Sequence, residues 1–190
     1  MKKKILMLAV AACLIVLSIA SSSLAYFTDT AAETKVFTSG NVDITLAYTA
    51  EDAGNRYPGM SYDDNAIITV ANNSETAYIG AIITFKGGVD ISNLAFTSDT
   101  TNVTKKVIDG AIYVVFEDDV AKNGTVNVFN EMTIPATWDT EEMKKLNEGI
   151  TVTAYAVQAV GFDNATEALK AAFGGENGDW SAYPAPVVTP

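Results

Sequence analysis

Ile150-Thr151-Val152-Thr153-Ala154-Tyr155-Ala156-Val157-Gln158 alternates two kinds of side chain along its whole length. A period of two, carried by β-branched and aromatic residues, is the pattern of a strand; helical apolar positions recur every three to four residues. This strand closes a series. Toward the N-terminus, Ala111-Ile112-Tyr113-Val114-Val115-Phe116 follows Asp109-Gly110, a hairpin turn pair, with Lys105-Lys106-Val107-Ile108 as its partner. Thr125-Val126-Asn127-Val128-Phe129 follows Asn123-Gly124, read as a second such turn. Ala77-Tyr78-Ile79-Gly80-Ala81-Ile82-Ile83-Thr84-Phe85 stops at Lys86-Gly87-Gly88, and Ala66-Ile67-Ile68-Thr69-Val70 ends at Asn72-Asn73-Ser74. Val42-Asp43-Ile44-Thr45-Leu46-Ala47-Tyr48 alternates over most of its length, predicting one buried face and one wet face. About eight short strands separated by Gly, Asn and Asp predict an all-β fold, a jelly-roll-like two-sheet sandwich.

Two short helices interrupt the strands. Asp139-Thr140-Glu141-Glu142 has an N-cap and a capping-box Glu three residues on, and Gly149 can end that helix. Asn164-Ala165-Thr166-Glu167 repeats the pattern ahead of Ala168-Leu169-Lys170-Ala171-Ala172-Phe173, with Gly174-Gly175 as the stop. Residues 175–190 are rich in Gly, Pro and Ala and predict a flexible tail. No internal repeat is present.

The N-terminus carries a different signal. Lys2, Lys3 and Lys4 precede an apolar run over residues 5–20, broken only by Ser18, and Ser21-Ser22-Ser23-Leu24-Ala25 follows. Positive charge, apolar stretch and small residues in that order make a secretory signal peptide over residues 1–25. Ser23 and Ala25 are the small residues that fit the peptidase, with the cut expected between Ala25 and Tyr26. A retained anchor is the rival reading, since spanning takes roughly 20 apolar residues; the serine cluster and the lack of positive charge after it weigh against one. Val10-Ala11-Ala12-Cys13 has a lipobox-like shape, but cutting there leaves the lipidated cysteine followed by Leu14-Ile15-Val16-Leu17, with no polar tether.

Removal of the first 25 of 190 residues leaves 165, enough for one domain with a real core. Cys13 is the chain's one cysteine, so the exported part has no disulfide. Loss of three lysines takes the formal charge from −11 to −14, which argues against nucleic acid as a partner. Histidine is absent, which excludes Ser-His-Asp and Cys-His nucleophile systems and HExxH zinc sites. Neither GxGxxG nor GxxxxGK[ST] occurs. No catalytic residue and no metal ligand set is assigned.

The acidic clusters Asp63-Asp64 and Glu117-Asp118-Asp119 leave calcium as a weak candidate cofactor and no other; neither has EF-hand spacing, and plain acidic turns explain both. A glycosidase pair of carboxylates distant in sequence has nothing pointing to it. Asn72, Asn102, Asn123 and Asn164 begin N-x-[ST] sequons, but asparagine is also a common turn and cap residue.

Residues 26–40 are set apart from the sandwich domain, residues 41–174. Tyr26-Phe27-Thr28-Asp29-Thr30 and Val36-Phe37-Thr38-Ser39-Gly40 put aromatic and β-branched residues next to the new N-terminus. Two readings are open: an ordinary first strand, or a mobile strand that adds to a neighbour's sheet edge and supplies main-chain hydrogen bonds there.

Leu24-Ala25-Tyr26-Phe27-Thr28-Asp29, followed by Phe37-Thr38-Ser39-Gly40-Asn41-Val42-Asp43-Ile44, resembles the N-terminal pattern of the TasA/camelysin family of Gram-positive bacteria. Tyr57-Pro58-Gly59, the Asn72-Asn73-Ser74 turn and the closing strand resemble family features more weakly. The resemblance implies a jelly-roll fold, cleavage by a SipW-like signal peptidase, and a secreted subunit of biofilm-matrix fibres. It also implies homopolymerisation by donor-strand complementation, with Tyr26, Phe27, Val36 and Phe37 in or beside the donor segment. Other matrix or cell-wall components are further partners in this reading. Some family members are described as metalloproteases; with no histidine here, no motif carries that activity over. The alternative is a secreted or cell-surface binding or adhesion module that does not polymerise.

Overall fold

The computed structural model describes residues 33–51, 56–174 and 179–184. The signal segment, with Ser23, Ala25, Tyr26 and Phe27, lies outside them.

Strands and helices follow in chain order. The strands are β1 Glu33–Ser39, β2 Ile44–Thr49, β3 Ser61–Tyr62, β4 Asn65–Val70, β5 Ala77–Phe85, β6 Ala95–Thr97, β7 Val103–Ile108, β8 Ala111–Val120, β9 Thr125–Phe129, β10 Glu131–Thr133 and β11 Ile150–Gln158. Helix α1 is Thr140–Asn147 and α2 is Ala165–Phe173. The fold is an all-β sandwich. One layer is a five-stranded sheet ordered β1-β11-β5-β8-β7, and across the core lie two three-stranded sheets, β2-β4-β9 and β3-β10-β6.

The second layer is therefore split, where one sheet was expected. The split has a local cause. β9 and β10 are nearly continuous but switch partners at Asn130, whose N–H goes to Thr97 O at 2.9 Å. β3 and β4 are interrupted at the same corner by Asp63 and Asp64.

Alternation explains the inner core. In β4, Ala66, Ile68 and Val70 are fully buried while the residues between them are half-buried. They meet Ile79, Ala81 and Ile83 of β5, Val114 and Phe116 of β8, and Val152, Ala154 and Ala156 of β11. A second core lies on the other face of the large sheet, where α2 and the turn Asp179–Ala182 cover Tyr155, Val157, Val115 and Tyr113. β11 is thus buried on both faces.

Three details differ from the sequence reading. Asn123-Gly124 does not close a hairpin, because β8 and β9 belong to different sheets. Asn123 has φ +62 and is tied to β4, its N–H reaching Val70 O at 2.9 Å, while Val70 N reaches Gly124 O at 3.0 Å. By contrast Asp109 (φ +50) and Gly110 (φ +78) form the expected tight hairpin between β7 and β8. Asp139 and Asn164 cap their helices as read, but Glu142 sends a carboxylate oxygen to Asp90 N at 3.2 Å, away from a capping box. The flexible tail expected from residue 175 is corrected at 179–184: Trp180 and Tyr183 are 0% and 2% exposed. Gly80 is the reason, since a Cβ there would lie 2.6 Å from Trp180 and 2.7 Å from Leu169. Its missing side chain leaves a seat for the indole on the sheet.

Candidate functional site

β1 is an edge strand of the large sheet, paired along its seven residues with β11 in parallel register, Glu33 opposite Thr151 and Ser39 opposite Val157. The other ladders of the fold are antiparallel among the described residues. No β1 residue belongs to either core, and Val36 and Phe37 are 41% and 47% exposed. Of the four residues expected in the donor segment, these two are the ones described.

Gly40, with φ +82, ends the strand; an L side chain there is strained, and its Cβ would come within 2.9 Å of Gln158 Cβ. Beyond Gly40 the chain is firmly held. Asn41 O accepts from Glu75 N at 3.0 Å, and Asp43 O accepts from Ala71 N at 2.9 Å. Ser74 Oγ, on the Asn72-Asn73-Ser74 turn, accepts from Asp43 N at 2.8 Å and donates to Asp43 O at 3.0 Å. Attachment therefore changes abruptly at Gly40: a sheet edge before it, a hydrogen-bonded clamp after it.

On the outer face of the large sheet, register places side chains in rows across the strands. Phe37, Tyr155, Gly80 and Val115 form one row. Lys35, Thr153, Ile82, Tyr113 and Lys106 form the next, and Glu33, Thr151 and Thr84 the third. α2 and Trp180 cover the first row. The other two, in which Glu33, Lys35 and Thr84 are exposed while Ile82, Tyr113, Thr151 and Thr153 are buried, line with Lys86 a trough of about 410 Å³. Phe37 stacks on Tyr155 at 5.4 Å between ring centroids, with an interplanar angle of 15°. Glu33 lies 3.5 Å from Lys35 Nζ and 3.4 Å from Lys86 Nζ. The Lys35 charge, then the hydrogen bond from Lys86, holds the Glu33 carboxyl below its ordinary range.

One aspartate of each acidic cluster, Asp64 and Asp118, is tied to other side chains of the fold. Asp64 is fully buried, and both its oxygens lie 2.6 Å from Nη2 of Arg56, the chain's one arginine. Asp64 also accepts from Glu51 N at 3.0 Å and from the Tyr48 hydroxyl at 3.2 Å. Asp63 N donates to Glu51 Oε2 at 2.8 Å. An aspartate spent on an internal ion pair is not an open calcium ligand or a catalytic acid. Asp118 accepts from Asn102 Nδ2 at 2.8 Å. Among the described residues no group of three or more Cys, Asp or Glu side chains is placed to hold a metal ion. Asn102 (φ +57) and Asn123 sit in left-handed turn positions and Asn164 caps α2, so three of the four sequons coincide with conformations that asparagine favours by itself.

No helix among the described residues is long and apolar enough to cross a membrane. No protein-family model matches the chain, and no curated protein matches it by sequence. Among solved structures, the chain is similar to the chitin-binding domain of Chi18aC from Streptomyces coelicolor. That likeness has 11% identity over 51% of this chain and 84% of the other, with a TM-score of 0.27, too low to bear on fold or function.

Proposed function

We propose that this chain is an exported structural subunit of extracellular matrix fibres, assembling by passing β1 to the sheet edge of a neighbouring copy. The observation that supports it is the way β1 is attached. Its seven residues give nothing to either core, and they hang from Gly40 outside the hydrogen-bonded clamp. Leaving β11 therefore breaks one ladder, one aromatic stack and the exposed Glu33–Lys86 ion pair while the sandwich keeps its interior. The vacated edge of β11 has the same register to offer a β1 from another copy, so each lost bond can be re-formed between chains. Cleavage before Tyr26 by a SipW-like peptidase frees the strand, which links export to assembly and places the product outside the cell or at its surface.

The experiment is size-exclusion chromatography with electron microscopy on two purified forms, one beginning at Tyr26 and one at Gly40. Filaments from the first and monomers from the second are expected. Monomers from both, across pH and calcium, would sink the proposal and favour a binding or adhesion module. The observation on that side is the trough, a preformed concavity partly walled by β1 itself.

A further inference from the structure

We infer that the open half of the large sheet's outer face binds an acidic oligosaccharide, a short run of carboxylated sugars. The trough, about 410 Å³, lies within the ordinary range of small-ligand sites. Its floor carries the exposed hydroxyl of Thr84, with Thr151 and Thr153 at 7% and 9% exposure beneath it, and each hydroxyl can donate and accept. An apolar partner would strand those groups, whereas sugar hydroxyls match them. Phe37 is 47% exposed yet held in place against Tyr155, and Tyr113 lines the trough from β8. A fixed, accessible ring presents an electron-rich face to the C–H face of a pyranose.

Charge selects the kind of sugar. In a chain of net −11, the trough gathers Lys35 and Lys86 against Glu33. Lys35 and Lys86 share that one carboxylate across loose, half-exposed contacts of 3.5 and 3.4 Å. Such pairs are weak, so either ammonium can turn to a ligand carboxylate at small cost. An acidic peptide is the poorer match. Extended peptides dock by main-chain hydrogen bonds to a strand edge, and the trough is a sheet face whose strands are already paired on both sides at β11, β5 and β8.

The test titrates a galacturonic-acid oligomer, a neutral glucose oligomer of equal length and a polyglutamate peptide into the monomeric fraction, isolated by size exclusion, of ¹⁵N-labelled chain beginning at Tyr26. The acidic sugar should shift the amides of Thr84, Thr151 and Thr153, and both other probes should bind ~10-fold or more weakly. Lys86→Gln with Thr84→Val should weaken sugar binding by ~10-fold or more while the remaining amide spectrum is unchanged. Both changes lie at or just beyond β5, and a β1 from a neighbour in the same register supplies the same Glu33, Lys35 and Phe37, so the trough forms whether β1 stays or is exchanged. No shifts at the trough, equal binding of polyglutamate, or full binding by the double variant would overturn the inference.

Discussion

The ring of Phe37 lies 5.4 Å from that of Tyr155 and within 15° of parallel, and this stack is the main side-chain anchor of a strand that otherwise faces solvent. An aromatic pair of this kind contributes about 0.5–1.5 kcal/mol beyond its buried area. Phe37→Ala should therefore lower global stability by roughly that amount. It should speed hydrogen exchange in β1 far more than in β5. Exchange that rises equally in both strands would show that β1 is part of the cooperative core.

Gly80 and Trp180 form the opposite case, an interior contact that tolerates no added atom. A methyl at residue 80 meets the indole at 2.6 Å. Gly80→Ala is expected to cost about 1–3 kcal/mol through overpacking, and Trp180→Ala about 3–5 kcal/mol through the cavity it leaves. Denaturant unfolding measures both. A neutral Trp180→Ala would mean that the segment 179–184 is not docked in solution.

The Arg56–Asp64 pair sits where the second layer breaks, with both side chains at 0% exposure. Removing one member leaves a buried charge alone, so Arg56→Met should destabilise by about 3–5 kcal/mol. Arg56→Met combined with Asp64→Leu should recover much of that loss, because the desolvation of both charges disappears with them. A double variant as unstable as the single one would show that the hydrogen bonds from Tyr48 and Glu51 hold the corner.

Tyr48 gives a pH signature. Burial first, then the negative charge of Asp64, pushes its hydroxyl well above the ordinary pKa of 10.0. An unfolded chain releases that proton near pH 10 while the folded chain keeps it. Stability is thus full below about pH 10 and falls as pH rises beyond it. Alkaline titration followed by phenolate absorbance and circular dichroism should show a late phenolate step that accompanies unfolding, to which Tyr183, also pushed up by burial, adds. Tyr48→Phe should flatten the alkaline loss.

The strands were legible because their signals are local. The alternation at residues 150–158 and the run at 77–85 became β11 and β5 with the same bounds, and Asp109-Gly110 announced its hairpin. What a local pattern does not carry is the partner. Nothing near Glu33 says that Thr151 lies opposite it, and nothing at Asn123-Gly124 says that the strand beyond joins another sheet. The threonines of β11 look like a wet face until α2 and Trp180 close over its far half, leaving Thr151 and Thr153 as the trough floor. Two signals were present and could have been used. Trp180 and Tyr183, three residues apart in a Gly- and Pro-rich stretch, are large rings with no reason to stay in water. Arg56, the single arginine, stands seven residues before the Asp63-Asp64 pair.

The central claim is that β1 pairs with β11 of a neighbour in the assembled state, and a register-matched cysteine pair tests it most directly. Lys35 and Thr153 are Cα partners on the outer face, and the chain from Tyr26 has no other cysteine. The chain carrying Lys35→Cys and Thr153→Cys would be assembled under reducing conditions, then oxidised, denatured and run without reductant. A ladder of covalently linked chains is expected. Filaments that dissolve into single chains, each closed by its own disulfide, would contradict strand exchange.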